Sequence, residues 1–357
     1  MASYPLRWKP ARVLCFGALA LCLGVATVGC KSKKSSGPAD DAAPAAPQEQ
    51  LAQPWNGSLV ELLPESTTTW AYIHIGALRE DARVLSFFRS LTEENREPMT
   101  IALLEADELV VGWAPDAREP LVLLRSSFIT PQLRGAIIQG SLGDTQELTP
   151  EPYGAHTLSL SPTSGDGMTT PASNLLFTGP KTELQGALDR LANAPATSDV
   201  SASAAVVFAL APDPSWGDLA EEAISEPRFA QQIRAITMVS GALQLDGGLS
   251  LSSRLSLDDT GEPELAAELF GLALSRVLPQ LLSQVVRDDY ASHLTNAIRA
   301  TSQEGAVILR AELPEDEVGA WLNVLTVLAS VETTDPAPLE EADAPTQAPT
   351  PALPDAP

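Results

Sequence analysis

Residues 249–257 read Leu-Ser-Leu-Ser-Ser-Arg-Leu-Ser-Leu, so leucine and polar side chains alternate along most of the stretch. Successive side chains of a β-strand point to opposite faces of the sheet, and the stretch therefore predicts a strand with a buried leucine face and a wet serine and arginine face. Residues 246–248, Asp-Gly-Gly, are typical of a tight turn, and residues 236–245 before them favour a second strand. Such a one-sided hairpin is characteristic of an antiparallel sheet.

Outward from this hairpin, signals for strands and helices recur in the same order in two parts of the chain. Residues 58–195 read strand, helix, strand pair, helix, further strands and helix, and residues 196–332 repeat that order. We therefore predict an α+β fold of mainly antiparallel strands with packed helices. Duplication of one unit explains the repeat, and so does coincidence between two divergent halves. Thr130 and Pro131 predict the start of a helix, with Thr130 as the N-cap and the proline at the first helical position. Residues 161–173, which include Gly165 and Gly167, read as a flexible polar loop.

The apolar content of residues 265–286 occupies more than one face of a predicted helix. One interpretation is a central helix that is buried on most sides, and the other is the wall of a groove for a lipid or an apolar peptide. Pro279 predicts a break or kink, because proline lacks a backbone donor and clashes with the preceding turn. The candidate groove residues are Leu265, Leu269, Phe270, Leu272, Leu278, Leu281 and Leu282.

The N-terminus has the pattern of an export signal. Residues 1–12 carry three bases and no acid, and residues 13–26 form an apolar run shorter than a membrane span. The run ends in Thr27-Val28-Gly29-Cys30, which resembles the lipobox of bacterial lipoproteins, with Thr27 where that family usually has leucine. The resemblance implies that residues 1–29 are a signal peptide and that Cys30 becomes a lipid-modified N-terminus. An uncleaved peptide anchor and simple cleavage with release are the alternatives.

Two further features concern location. Lys31 follows the cysteine in place of the aspartate that retains enterobacterial lipoproteins in the inner membrane, which slightly favours the outer membrane. Residues 62–67, Leu-Leu-Pro-Glu-Ser-Thr, look like the start of several uncharacterised bacterial envelope proteins, a likeness that carries no known chemistry. We therefore expect the folded part in the cell envelope, attached to a membrane through its lipidated N-terminus.

Two low-complexity segments flank the folded region. Residues 30–57 are rich in Lys, Ser, Ala, Pro and Gln and read as a disordered tether. Residues 333–357 contain seven Pro, six Ala, five acids and no base, and read as a disordered acidic tail. The predicted order is thus a signal peptide, a tether, the two α+β halves and a tail.

The composition excludes several functions. Lys and Arg total 22 against 46 Asp and Glu, and a formal charge of -24 disfavours nucleic-acid binding. The only cysteines are Cys15, Cys22 and Cys30, so the processed chain has no thiol nucleophile, no thiolate metal site and no disulfide. No two of the three histidines lie within 80 residues of each other, so local spacing creates no pair of metal ligands. We predict no catalytic, metal or cofactor site.

These features favour a non-enzymatic, lipid-anchored envelope protein that acts as a binding or assembly component with an envelope protein as partner. The alternative is a carrier of a hydrophobic ligand or lipid. A third class, a hydrolase that uses carboxylates alone, lacks a recognisable acid and base pair at the required separation.

Overall fold

The computed structural model describes residues 54–84, 105–141, 148–194, 204–282 and 296–322, except residues 116, 118, 214, 224, 225, 320 and 321. In these parts of the chain, twelve strands form one sheet. The strands are β1 (Thr69–Ile73), β2 (Ala106–Trp113), β3 (Leu121–Ser126), β4 (Thr149–Tyr153), β5 (His156–Leu160), β6 (Asp166–Ala172), β7 (Leu175–Pro180), β8 (Val206–Leu210), β9 (Ile236–Gln244), β10 (Gly248–Leu257), β11 (Ile298–Gln303) and β12 (Ala306–Pro314).

The helices lie between these strands and on both faces of the sheet. They are a 3-10 helix (Leu59–Leu62) and the α-helices α1 (Ile75–Glu80), α2 (Pro131–Ser141), α3 (Lys181–Asn193), α4 (Trp216–Ala223), α5 (Pro227–Arg234) and α6 (Pro263–Leu282). A further helical segment, 315–319, follows β12. Thr130 caps α2 as its sequence predicts, because its Oγ1 accepts a hydrogen bond of 3.0 Å from the N–H of Leu133.

The strand order is β11-β12-β10-β9-β8-β1-β2-β3-β7-β6-β5-β4, and neighbouring strands are antiparallel. The predicted α+β fold of mainly antiparallel strands is confirmed. Both predicted halves contribute to the one sheet, because β1 of the first half pairs with β8 of the second, with Ala71 opposite Phe208.

The hairpin of β9 and β10 forms with the predicted alternation. Leu251 pairs with Leu243 and Leu255 with Val239, and all four side chains are buried. Ser253 shares this buried face, whereas Ser252 is exposed on the other. The leucine face packs against helices and the serine face does not, which is the usual arrangement of an antiparallel sheet with one wet side.

We call the face of the sheet that carries Phe208 the first face. The buried residues of α4, α5 and α6 pack on it over β8, β9, β10 and β12. Phe208 lies over Gly241 of β9, where an added Cβ would sit 2.6 Å from the phenylalanine ring. Leu133 of α2 covers the same face farther along, against Leu124 and Leu176.

The second face carries a separate core around Phe177. The 3-10 helix and α3 cover it over β1, β2, β3 and β7, and Leu59, Leu62 and Leu184 have no exposed surface. In the sequence Tyr72 alternates with Trp70 and His74, which predicts a polar side of β1. In the structure Tyr72 is only 6% exposed and belongs to this core. Strand β1 is central in the sheet and buried on both faces, so its period-two pattern does not mark a wet side.

The prediction of a loop over residues 161–173 is wrong in its second half. Residues Asp166–Ala172 form β6, which pairs with β5 on one side and β7 on the other. Met168 is fully buried and Thr169 is 5% exposed. Tertiary pairing thus overrides the glycine and serine content that favours a loop.

Of the break or kink predicted at Pro279, the break does not occur, because α6 continues through that position to Leu282. A proline near the end of a long helix removes one backbone hydrogen bond and leaves those of the earlier turns in place. The apolar run that predicts this helix continues to residue 286, and residues 283–286 lie outside the described residues.

Candidate functional site

The structure describes only some of the candidate site residues. Cys30 lies outside the described residues, and the side chains of Leu278, Leu281 and Leu282 do as well, although these three positions belong to α6.

The remaining groove candidates have different surroundings. Leu269 and Phe270 are half-buried and pack against the core of the first face, and the rings of Phe270 and Phe229 meet edge to face with centroids 5.4 Å apart. Leu265 is half-buried, while Leu272 is 41% exposed. The small side chains of Ala266 and Ala267 bring α6 close to the sheet. The described part of α6 therefore combines a buried face with one exposed leucine.

A second site is the point where the chain enters the domain. We call residues 55–63 the anchoring segment. The N–H of Trp55 donates to Oδ1 of Asn174 at 2.9 Å, and Nδ2 of Asn174 donates to the carbonyl oxygen of Trp55 at 2.8 Å. Asn174 lies in the turn between β6 and β7 and is 5% exposed. One amide side chain thus satisfies both backbone groups of a buried residue, as a neighbouring strand would.

A half-buried ion pair holds the same segment two residues later. Arg125 Nη1 donates to the carbonyl oxygen of Gly57 at 2.7 Å, and its Nη2 pairs with the carboxylate of Glu108. Each of these two side chains is 16% exposed. Charge-assisted hydrogen bonds in such surroundings are stronger than those at an open surface. Arg125 therefore ties the anchoring segment to β2 and β3 together.

Tyr72 borders this ion pair. Burial raises the pKa of Tyr72 to about 12, and the nearby charge of Glu108 adds to that effect while Arg125 opposes it. The phenol therefore stays protonated and can donate a hydrogen bond to Glu108. Together, Tyr72, Glu108 and Arg125 form a polar cluster under the anchoring segment.

The predicted tether, residues 30–57, overlaps the folded domain at its end. Trp55 is 8% exposed and belongs to the core of the second face, and Gly57 and Ser58 are buried as well. A single tryptophan among Ala, Pro and Gln is not a periodic signal, so the sequence does not mark it as part of the core. Neither Asn174 nor Arg125 was predicted as a site residue, although an arginine inside the apolar strand β3 is a usable signal of a buried ion pair.

An open groove of about 610 Å³ lies between the anchoring segment and α3. Three of its charged groups have partners: Arg190 Nη2 lies 3.0 Å from Glu65 Oε1, and the hydroxyl of Tyr153 donates to Asp189 at 3.0 Å. A pocket for a hydrophobic ligand encloses most of that ligand, whereas this groove is open and four of its eight lining residues are charged. It is lined by Glu61, Pro64, Glu65, Gly186, Asp189, Arg190, Asn193 and Ala194.

The described parts of the chain contain no group of three or more His, Cys, Asp and Glu side chains placed to hold a metal ion. His74 lies just before α1, and its Nδ1 is buried without a hydrogen-bond partner among the described residues. His156 begins β5, after the turn at Gly154. His293 lies outside the described residues.

No described helix has both the length and the apolar character needed to cross a membrane. No protein-family model matches the sequence. No curated protein matches it either.

Among solved structures, three crystal forms of a protein named TP0453 are similar to this chain. Crystal form III is 11% identical, with 74% of this chain and 96% of that chain covered and a TM-score of 0.46. Crystal form I is 12% identical, with 76% and 97% covered and a TM-score of 0.44. Crystal form IV is 10% identical, with 76% and 97% covered and a TM-score of 0.45.

Proposed function

We propose that the chain is a lipid-anchored protein of the bacterial cell envelope whose folded domain is a non-enzymatic binding or assembly component. The observation that carries the proposal is the sequence of the first 30 residues, in which a basic start and an apolar run lead to Thr27-Val28-Gly29-Cys30. A lipidated cysteine holds a protein at a bilayer firmly when it bears more than one acyl chain. Lys31 favours the outer membrane over the inner membrane.

The anchoring segment supports this proposal because it gives the tether a rigid end. About 25 residues separate Cys30 from Trp55, and a flexible chain of that length has a root-mean-square span of about 30 Å. At Trp55 the chain enters the core of the second face and is held by Asn174 and Arg125. A force on the tether therefore reaches the sheet directly.

We also propose that the domain is a duplicated unit. Counted outward from the central pair, the strands run β1-β2-β3-β7-β6 on one side and β8-β9-β10-β12-β11 on the other. Helices α2 and α6 occupy corresponding places after β3 and β10, and the hairpin of β4 and β5 is an insertion in the first half. The closing helices differ, since α3 packs on the second face and residue Val318 of segment 315–319 packs on the first.

Metabolic labelling with a radioactive fatty acid tests the anchor. We expect label in the wild-type protein and in Cys22→Ser, because Cys22 lies inside the signal peptide, and no label in Cys30→Ser. The Cys22→Ser variant is a matched control, since it removes a thiol from the same apolar region. An unlabelled wild-type protein, or label that persists in Cys30→Ser, would contradict lipidation at this residue.

A carrier of a hydrophobic ligand is the second candidate function. It is favoured by the exposed Leu272 on α6, beside the half-buried Leu269 and Phe270. Native mass spectrometry of the mature protein, followed by lipid extraction, tests it. A carrier retains an apolar molecule, and Leu272→Ser lowers its occupancy while Phe128→Ser, at a similarly exposed position, does not. A protein free of any apolar ligand would remove this candidate.

A further inference from the structure

The two outer strands of the sheet differ in the backbone groups that they present. At one edge, Tyr153 of β4 lies opposite His156 across a two-residue turn. The residues that flank such a turn form a hydrogen-bonded pair, and the backbone direction alternates from there. The N–H groups of Thr149, Glu151 and Tyr153 therefore point to β5. The outward positions are Pro150 and Pro152, which have no N–H, so this edge offers no outward donor within β4.

The other edge has no such protection. Strand β11 contains no proline, and Gln303 lies opposite Ala306 across the turn at Glu304 and Gly305, which have φ of 51° and 72°. By the same alternation, Ile298, Ala300 and Ser302 turn their N–H and C=O groups outward. Among the described residues, no strand pairs with that side of β11. An open row of donors and acceptors is a template for an added strand.

The same edge concentrates positive charge on the second face. Arg299 of β11 lies directly opposite Arg310 of β12, and Arg254 of β10 is on the same face one strand farther in. Like charges directly opposite each other destabilise a strand pair. Within the described chain, Arg299 and Arg310 form no ion pair, and Arg254 is 3.8 Å from Glu304. Two further acids are nearby: Glu312 lies two residues beyond Arg310 on β12, and Glu264 of α6 accepts a hydrogen bond of 3.2 Å from the hydroxyl of Ser302 on the first face.

An extended, acidic segment would match both features of this edge, and the chain contains such a segment. Residues 339–344, Leu-Glu-Glu-Ala-Asp-Ala, are the longest proline-free run in the acidic tail. In an extended conformation Glu341 and Asp343 share one face, because side chains alternate. Both carboxylates can then face the arginines of the second face.

The tail is long enough to reach this edge. About 17 residues join Leu322 to Leu339, and a chain of that length spans at most about 55 Å. The nine residues of β12 extend over only about 30 Å. A segment of the same chain is also present at an effective concentration of about a millimolar or more, which favours it over a free acidic peptide.

We propose that residues 339–344 add to β11 as a further strand and that their carboxylates pair with Arg299 and Arg310. The contact caps the open edge of the sheet and neutralises the arginine pair. The contact does not depend on the membrane anchor, so its test is independent of the test of the proposed function.

Hydrogen exchange of the mature protein, compared with a variant that ends at residue 332, tests the contact. We expect the amides of Ala300 and Ser302 to exchange about tenfold more slowly in the full chain at low salt. The double substitution Glu341→Lys with Asp343→Lys abolishes this protection without touching the folded domain. Asp335→Lys with Asp355→Lys leaves it intact and controls for the charge of the tail.

Equal exchange of Ala300 and Ser302 in the full and shortened chains would overturn the proposal. Protection that persists without the tail would overturn it as well. In that case, protection that rises with protein concentration would identify a second copy of the chain as the occupant, and protection independent of concentration would identify another segment of the same chain.

Discussion

At the scale of single residues, the side chain of Asn174 makes the hydrogen bonds to the backbone of Trp55 that a neighbouring strand would otherwise make. Its two hydrogen bonds, of 2.9 and 2.8 Å, satisfy the N–H and the C=O of a residue that is 8% exposed. A buried backbone group without a partner is costly, whereas the same group at a surface bonds to water. Asn174 is therefore the residue on which the entry of the chain into the domain depends most.

We predict that Asn174→Ala lowers the free energy of unfolding by about 2 kcal/mol, since both backbone groups of Trp55 lose their partner. Urea unfolding followed by tryptophan fluorescence measures the change. Asn193→Ala is the control, because Asn193 makes one exposed hydrogen bond at the end of α3, and it should change stability by less than about 0.5 kcal/mol. Equal effects of the two substitutions would refute the role given to Asn174.

Tyr72 makes stability fall at alkaline pH. Burial raises its pKa to about 12 in the folded protein from the ordinary tyrosine value of 10.0, so above pH 10 the unfolded chain releases this proton first. The stabilisation is complete below about pH 10 and is lost as the pH approaches 12.

We predict that Tyr72→Phe reduces the loss of stability between pH 9 and pH 11 by about 1 kcal/mol, measured by urea unfolding at both values. Tyr153→Phe is the comparison: the hydrogen bond to Asp189 also raises the pKa of Tyr153, but the hydroxyl is exposed to solvent, so we expect a smaller change than for Tyr72→Phe. An identical pH dependence in wild type and Tyr72→Phe would count against the assigned shift.

At the scale of elements, the packing of α5 on α6 bears on whether α6 is a core helix or the wall of a ligand groove. Phe229 is 4% exposed, and its ring meets that of Phe270 at an interplanar angle of 70°. Edge-to-face aromatic pairs add to the stability that burial provides. This contact makes the first half of α6 part of the core.

Phe229→Ala should destabilise the domain by about 3 kcal/mol, because it leaves a cavity between two helices and the sheet. Thermal unfolding by circular dichroism measures the change. Phe128→Ala removes an equal volume from a side chain that is 54% exposed and should cost less than about 0.5 kcal/mol. A small effect of Phe229→Ala would indicate a loosely packed helix, as the carrier alternative requires.

The two prolines of β4 protect one edge of the sheet, and their replacement tests that role. Replacing Pro150 and Pro152 by threonine restores two outward N–H groups at an edge strand. We expect the double variant to self-associate at concentrations where the wild type does not, as measured by light scattering after gel filtration. Thr157→Val on the neighbouring strand β5 raises β propensity without adding an edge donor and should leave the mass unchanged.

Sequence patterns predicted the structure correctly where the residues of one element determine its conformation locally. The alternation in residues 249–257 and the Thr130 cap predicted β10 and the start of α2. Sequence patterns failed where the conformation or burial of a residue depends on an element that is distant in the sequence. Residues 166–172 form β6 because they pair with β5 on one side and β7 on the other. Trp55 can be buried because the side chain of Asn174 hydrogen-bonds to its backbone N–H and C=O. The edge arginines adjoin each other only through the register of β11 with β12.

At the scale of the molecule, one sheet joins both predicted halves through the pair of β1 and β8. The first half is covered on both faces, whereas the second face over β10 and β12 carries exposed polar side chains such as Ser252 and Arg310. The anchoring segment enters on that second face, within the covered half. The anchoring segment and the open arginine face therefore lie on the same side of the sheet.

Attachment of the domain to a membrane depends on the modification of Cys30. Mass spectrometry of the N-terminal peptide of the protein purified from membranes tests this modification directly. We expect the mature chain to begin at Cys30 and its thiol to carry a diacylglycerol. A chain that still begins at Met1, or one that begins at an unmodified residue after position 30, would contradict this expectation.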